Sequence, residues 1–191
     1  MAMHSISTNK SNIHHIIEEE LNGSSIENVI QQFGITTDVL SLVKFEDYRK
    51  EDGYTIQDTL ASCIISPNDD QVDVVSAICF YTEAISDKIN VYFSKISDVY
   101  MHQKMVHIFI QFIIMHELVH VQQIQNGLTL AEYRSTRYRD NPHEQHANIE
   151  AQRILSQECN FQSKVVDLIV TNTSITNPVH YELRELYTID R

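Results

Sequence analysis

The sequence predicts an α+β fold: a small, mainly antiparallel sheet, then a buried central helix, then a helical C-terminal half. Three observations carry this. Residues 39–96 hold β-branched and aromatic runs separated by turn residues, the pattern of short strands. Residues 98–125 form one long, largely apolar stretch without Gly or Pro, too long for an ordinary strand and the right length for a core helix. Asn141-Pro142 then opens a further helix, with Asn able to cap free amides and Pro suited to the first helical position. A hydrophobic fraction of 42% with only 4 Gly and 3 Pro fits a folded chain. Its length fits a single domain over residues 1–191, with 1–36 read as an N-terminal helical addition.

Taken in order, two short helices open the chain. The first, residues 12–21, ends at Asn22-Gly23. The second, residues 24–33, ends at Gly34, and Ser24 with Glu27 has capping-box spacing. Strand-like runs follow at 39–45, 55–66, 71–82 and 89–96, with Pro67-Asn68-Asp69-Asp70 marking a turn between two of them. In the last run Ile89, Val91 and Phe93 alternate with Asn90, Tyr92 and Ser94, as in a strand with one wet face. The long helix stops at Asn126-Gly127, and a polar loop rich in Arg and Tyr leads to Asn141-Pro142. That helix runs to about Glu158, and one or two more helices finish the chain.

The net charge of −12, from 14 basic and 26 acidic residues, repels phosphate backbones and argues against nucleic-acid binding. The one basic group, Arg134, Arg137 and Arg139, is too small to reverse that. The polar first ten residues lead into no apolar segment, so no signal peptide is expected. Nor is a membrane span, because the densest apolar stretch, 106–121, is interrupted by His107, Gln111, His116, Glu117 and His120. Cys63, Cys79 and Cys159 are odd in number and scattered, which reads as free thiols in a reducing, cytoplasmic setting.

Within 106–121 apolar residues cover nearly every direction around the helix, as in a helix buried on all sides. At about 100° per residue, His116 and His120 lie within about 40° of each other, whereas His107 and Gln111 point to the opposite side. Imidazoles at i and i+4 can reach one metal ion at about 2.0 Å. Glu117, rotated off that axis, is placed to hold the proton of a metal-bound water rather than to ligate. The pentapeptide His-Glu-Leu-Val-His is only moderately specific by itself, since histidines satisfied in a helical core produce the same pattern.

A catalytic zinc site of this type needs a third protein ligand, and His143, Glu144, His146, Glu150 and His180 are the downstream candidates. A helical wheel puts Glu144 on one face with Ala147, Ala151, Ile154 and Leu155, and turns His146 and Glu150 toward solvent. A carboxylate on an apolar face needs a cation or donors. The small Ala147 and Ala151 would let this helix approach the long one closely. Asn148, one turn after Glu144, could bond a ligand histidine. A second role for Glu144 stays open here, because Asn141-Pro142-His143-Glu144 also has capping-box spacing.

The segment His116-Glu117-Leu118-Val119-His120, followed by Glu144-Gln145-His146-Ala147-Asn148, resembles the gluzincin pattern HExxH…ExxA(N/D) of ImmA/IrrE-type regulatory peptidases and HtpX-type membrane peptidases. It is also similar to small zincin-like bacterial and phage proteins. The resemblance covers residues 113–155, and it departs from the ImmA/IrrE-type pattern at Glu150, where those proteins usually have an aromatic. It implies a zincin-like fold, Zn2+ held by His116, His120 and Glu144, Glu117 as general base, and Asn148 supporting a ligand histidine. It also implies a protein or peptide substrate laid along the edge of a strand preceding the zinc helix, for which 89–96 is the candidate. Tyr138, Arg139, His180 and Tyr181 are candidate oxyanion donors, and spacing selects none of them. His14, His15 and His102 read as surface or structural residues. The implied activity is peptide-bond hydrolysis. The small, acidic chain also fits a zinc-bound regulatory or inhibitory binding module without general protease activity.

Overall fold

The computed structural model describes residues 7–94, 96, 98–136 and 140–157. The chain opens with α1 (Lys10–Leu21), capped by the Asn9 side chain accepting from the Asn12 amide. Ile13, Ile17 and Leu21, spaced by one turn, form its buried stripe. In α2 (Ser24–Gln32), Ile26 and Val29 are buried. The expected Ser24 capping box does not form. Gly23 occupies the cap position with no side-chain bond, and Ser24 is already helical, so its hydroxyl is one position too late. Both helices bury their apolar residues in the same core as the rest of the protein.

A three-stranded sheet follows, ordered β1 (Val43–Glu46), β5 (Asp73–Tyr81), β4 (Ala61–Pro67). β5 is central, parallel to β1 through Val43↔Ile78 and antiparallel to β4 through Cys63↔Ile78. The sheet is therefore mixed rather than mainly antiparallel. Between β1 and β4 the chain makes a separate hairpin, β2 (Arg49–Glu51) and β3 (Tyr54–Ile56). It turns at Asp52-Gly53, both with positive φ, as a two-residue hairpin loop matched to strand twist requires.

Residues 89–92 of the expected strand are helical instead, as the end of α3 (Thr82–Tyr92). Exposure decides between the two periods. Alternation requires Val91 buried and Tyr92 wet, but Val91 is 72% exposed and Tyr92 2%. Ile85, Ile89 and Tyr92 follow the i, i+4, i+7 rule instead and pack in the core, where α3 meets α1.

The organising element is α4 (Val99–Gln125), capped by Asp98 accepting from the Met101 amide and ended at Asn126 and Gly127, the latter at φ 99°. By length and composition it could cross a membrane, yet 72% of its most apolar window is buried inside the protein. α1, β4, β5 and α6 all pack against it. After a short α5 (Leu130–Arg134), started by a complete Thr129–Glu132 capping box, comes α6 (Pro142–Gln157). Its buried residues are Glu144, Ala147, Ala151, Ile154 and Leu155, the face expected from the wheel. On the far side of α4 from this helix, His107 Nδ1 lies 2.7 Å from Glu20 Oε1, and Gln111 donates to Glu20 Oε2.

Two outcomes follow from this packing. Ala151 is wholly buried where α6 faces the core, so Ala151→Leu should cost about 1–3 kcal/mol in urea unfolding. The hydrogen bond to Glu20 raises the His107 pKa above its ordinary value, outweighing burial, with further help from the Glu20 and Glu19 charges. A raised histidine stabilises the fold below pH about 6.5 and loses that contribution as pH climbs through the folded value. His107 is 39% exposed at its side chain, which limits the effect to about 0.5 kcal/mol. Wild type should accordingly lose more stability than His107→Gln between pH 6 and pH 9, measured by urea midpoints at each pH.

Candidate metal centre

Where α4 and α6 meet, three sequence-predicted residues converge. His116 Nε2 lies 3.0 Å from His120 Nε2. Glu144 closes the triangle, with Oε2 at 3.3 Å from His116 Nε2 and Oε1 at 3.1 Å from His120 Nε2. The group's possible ligand atoms all lie within 4.8 Å of one another, and it could hold a metal ion. Helical spacing produces the histidine pair, and the close fit of Ala147 and Ala151 brings Glu144 to it.

The rings are held from behind. His116 Nδ1 is 3.1 Å from Asn148 Oδ1, the contact expected for Asn148. His120 Nδ1 is 2.9 Å from Gln123 Oε1. Gln123 donates its Nε2 to the His143 carbonyl at 3.1 Å, which fixes its amide orientation, so the oxygen faces His120 and His120 donates from Nδ1. That leaves Nε2 as the atom aimed into the site, the arrangement that ligand histidines need.

Charge decides what the site can hold. His120 and Glu144 are 6% and 4% exposed, and Glu117 beside them 5%. Burial pushes the Glu144 carboxyl up, but the His116 and His120 hydrogen bonds, the His120 charge and the Tyr133 hydroxyl outweigh it and hold it well below the usual carboxylate range. Burial pushes His120 down, and Glu144 and Glu117 outweigh that and raise it. A positive charge is therefore required among these groups, as protons or as a metal. Protons leave a defect at Glu117, whose Oε2 is buried without a hydrogen-bond partner, at a cost of about 1–3 kcal/mol. Ligand atoms of a tetrahedral ion bound at about 2.0–2.1 Å lie roughly 3.3 Å apart, close to the separations seen here. The donor set fits a metal.

Glu117 stands outside the ligand group. Burial raises its carboxyl pKa, partly offset by His116 and His120, while Glu144 adds to the rise and the Cys63 backbone amide opposes it. That amide belongs to β4, which is an edge strand among the described residues and has a bulge between Ile64 and Ile65. Residues 61–65 of β4 line a cavity of about 630 Å³ that also contains His116, Glu117, His120, Glu144 and the apolar side chains of Phe112 and Leu130. Burial keeps the nearby Cys63 thiol neutral by pushing its pKa well above the ordinary value.

The strand beside the site is thus β4, and the segment expected in that role is the α3 helix with the residues after it. The capping-box reading of Glu144 gives way to the ligand position: its carboxylate faces the histidines, and Asn141 accepts from the His143 amide unaided. His146 is exposed, and Glu150 pairs with Arg153. His14 stacks on Phe45, and His102 is buried at 2% exposure. Tyr138, Arg139, His180 and Tyr181 lie outside the described residues. Sequence reasoning missed two participants. Gln123 carried a usable signal, being three residues after His120 on one helix face. Tyr133, whose hydroxyl donates to Glu144 Oε1, carried none, because α5 reaches the site only through the fold.

No family model, curated protein or solved structure matches the chain.

Metal analysis of purified wild type should find about one ion per chain. Glu144→Ala and His116→Ala should each lose it on dialysis, while remaining folded by circular dichroism.

Proposed function

We propose that the chain is a zinc-dependent peptidase of the gluzincin type, hydrolysing peptide bonds of a protein substrate. The reading rests on the unequal placement of two buried carboxylates. Glu144 completes the group with His116 and His120, whereas Glu117 lines the same cavity outside that group, with one oxygen free of hydrogen-bond partners. Two imidazoles and one carboxylate, with space left for a further ligand, are the donor set of catalytic zinc.

When bound, zinc would polarise the scissile carbonyl and bring the pKa of a coordinated water to about 7. Glu117, buried beside His116, His120 and Glu144, is the residue that would accept a proton from the attacking water. The same carboxyl would pass that proton to the amide nitrogen as the C–N bond breaks. Asn148 and Gln123 keep His116 and His120 turned toward the ion throughout. Among the described residues β4 has a strand on one side only, so an extended peptide could add along its other edge, across the cavity.

A binding module without catalysis would have no use for Glu117, a buried carboxylate whose desolvation costs stability. The free Cys63 and Cys79 fit a reducing, cytoplasmic setting, and the charge of −12 favours a protein partner over nucleic acid.

Glu117→Gln should keep wild-type metal content yet cut hydrolysis by a factor of about 10²–10⁴, followed by mass spectrometry on a degenerate peptide library. Wild-type turnover in the metal-loaded variant would overturn the assignment of Glu117 as base.

A further inference from the structure

The two oxygens of Glu144 are not equivalent. Oε1 accepts a hydrogen bond from the Tyr133 hydroxyl and lies 3.1 Å from His120 Nε2. Oε2 is buried and meets only His116, its Nε2 at 3.3 Å, among the described residues. Tyr133 is itself held in place. Asn141 donates its Nδ2 to the Tyr133 carbonyl at 2.9 Å, while Asn141 Oδ1 accepts from the His143 amide at 3.0 Å. The Tyr133 ring stands edge-on to His120, with centroids 5.9 Å apart. Asn141 just before α6, the phenol and Glu144 are therefore joined in one closed loop of contacts.

We propose that Tyr133 is a positioning residue that occupies Glu144 Oε1 and leaves Oε2 as the single ligand oxygen. A carboxylate free at both oxygens can chelate a metal through both and use up an open coordination position. A hydroxyl bonded to one oxygen withdraws it from that competition and fixes the plane of the other. Tyr133 thereby keeps the coordination number low and a position available, which a catalytic metal requires. The inference rests on the metal reading of the site.

Cobalt(II) tests it without any assay of activity, because its visible absorption is strong in four-coordinate sites and weak in five-coordinate ones. Wild type loaded with Co2+ is expected to show the intense four-coordinate band. Tyr133→Phe, which retains the ring against His120, is expected to show a weaker five-coordinate spectrum. Its zinc Kd, from chelator competition, should rise about 10- to 100-fold, the usual range for loss of a ligand's supporting partner. A wild-type spectrum that is already weak and five-coordinate would overturn the inference while leaving the metal site intact. So would a Tyr133→Phe variant with unchanged spectrum and Kd. Failure of wild type to take up either metal would overturn the site itself. The wild-type spectrum decides the question even if the variant does not fold.

Discussion

Everything around the site depends on one constraint: two imidazoles and two carboxylates sit in the dry crossing of α4 and α6, where each unpaired charge is expensive. A solvent-exposed cluster of the same residues would need nothing in return. Here His120, Glu117 and Glu144 are all nearly inaccessible, so the protein must hold them in one geometry and must hold a positive charge among them. The apolar character of α4 on all sides excludes water, and the alanines of α6 let the third ligand come within reach. Stability and chemistry thus pull in opposite directions at this crossing, as they do at functional sites generally.

The groups behind the histidines and behind Glu144 answer that constraint. Amide oxygens of Asn148 and Gln123 take up the two Nδ1 atoms, and Gln123 is braced in turn by the His143 carbonyl and by His146 Nδ1. Tyr133 takes one carboxylate oxygen. The imidazole Nε2 atoms and the Glu144 carboxylate oxygens converge within 3.0–3.3 Å of one another. The Glu20–His107–Gln111 cluster on the opposite side of α4 makes the contrast. Its carboxylate is shared by two side chains of α4, and its histidine is part-exposed, so it ties α1 to α4.

The sheet contributes an edge. β4 is the outer strand nearest α4, its bulge lies at Ile64/Ile65, and its Cys63 amide reaches Glu117. A bulge beside a site re-aims backbone groups locally. The misreading of 89–96 as that strand has a definite cause: Ile89, Val91 and Phe93 satisfy a period of two over five residues, and the competing period of 3.6 becomes visible only when Ile85 and Tyr92 are included. Short windows admit both periods, and burial against α1 chose between them.

What the sequence determined by itself is what helical periodicity controls, because relations at i+3 and i+4 are set by the helix whatever surrounds it. The pairing of His116 with His120, the outward turn of His107, the shared face of Glu144, Ala147 and Ala151, and the reach of Asn148 are all of this kind. Glu144 itself had two local readings, and only its docking against α4 turned its carboxylate to the two histidines. The tertiary structure alone decided the mixed order β1-β5-β4, the assignment of β4 to the site, and the arrival of Tyr133 from α5 at Glu144. These join residues far apart in the chain, and their pairing is chosen by which surfaces bury one another, a choice that no local pattern encodes.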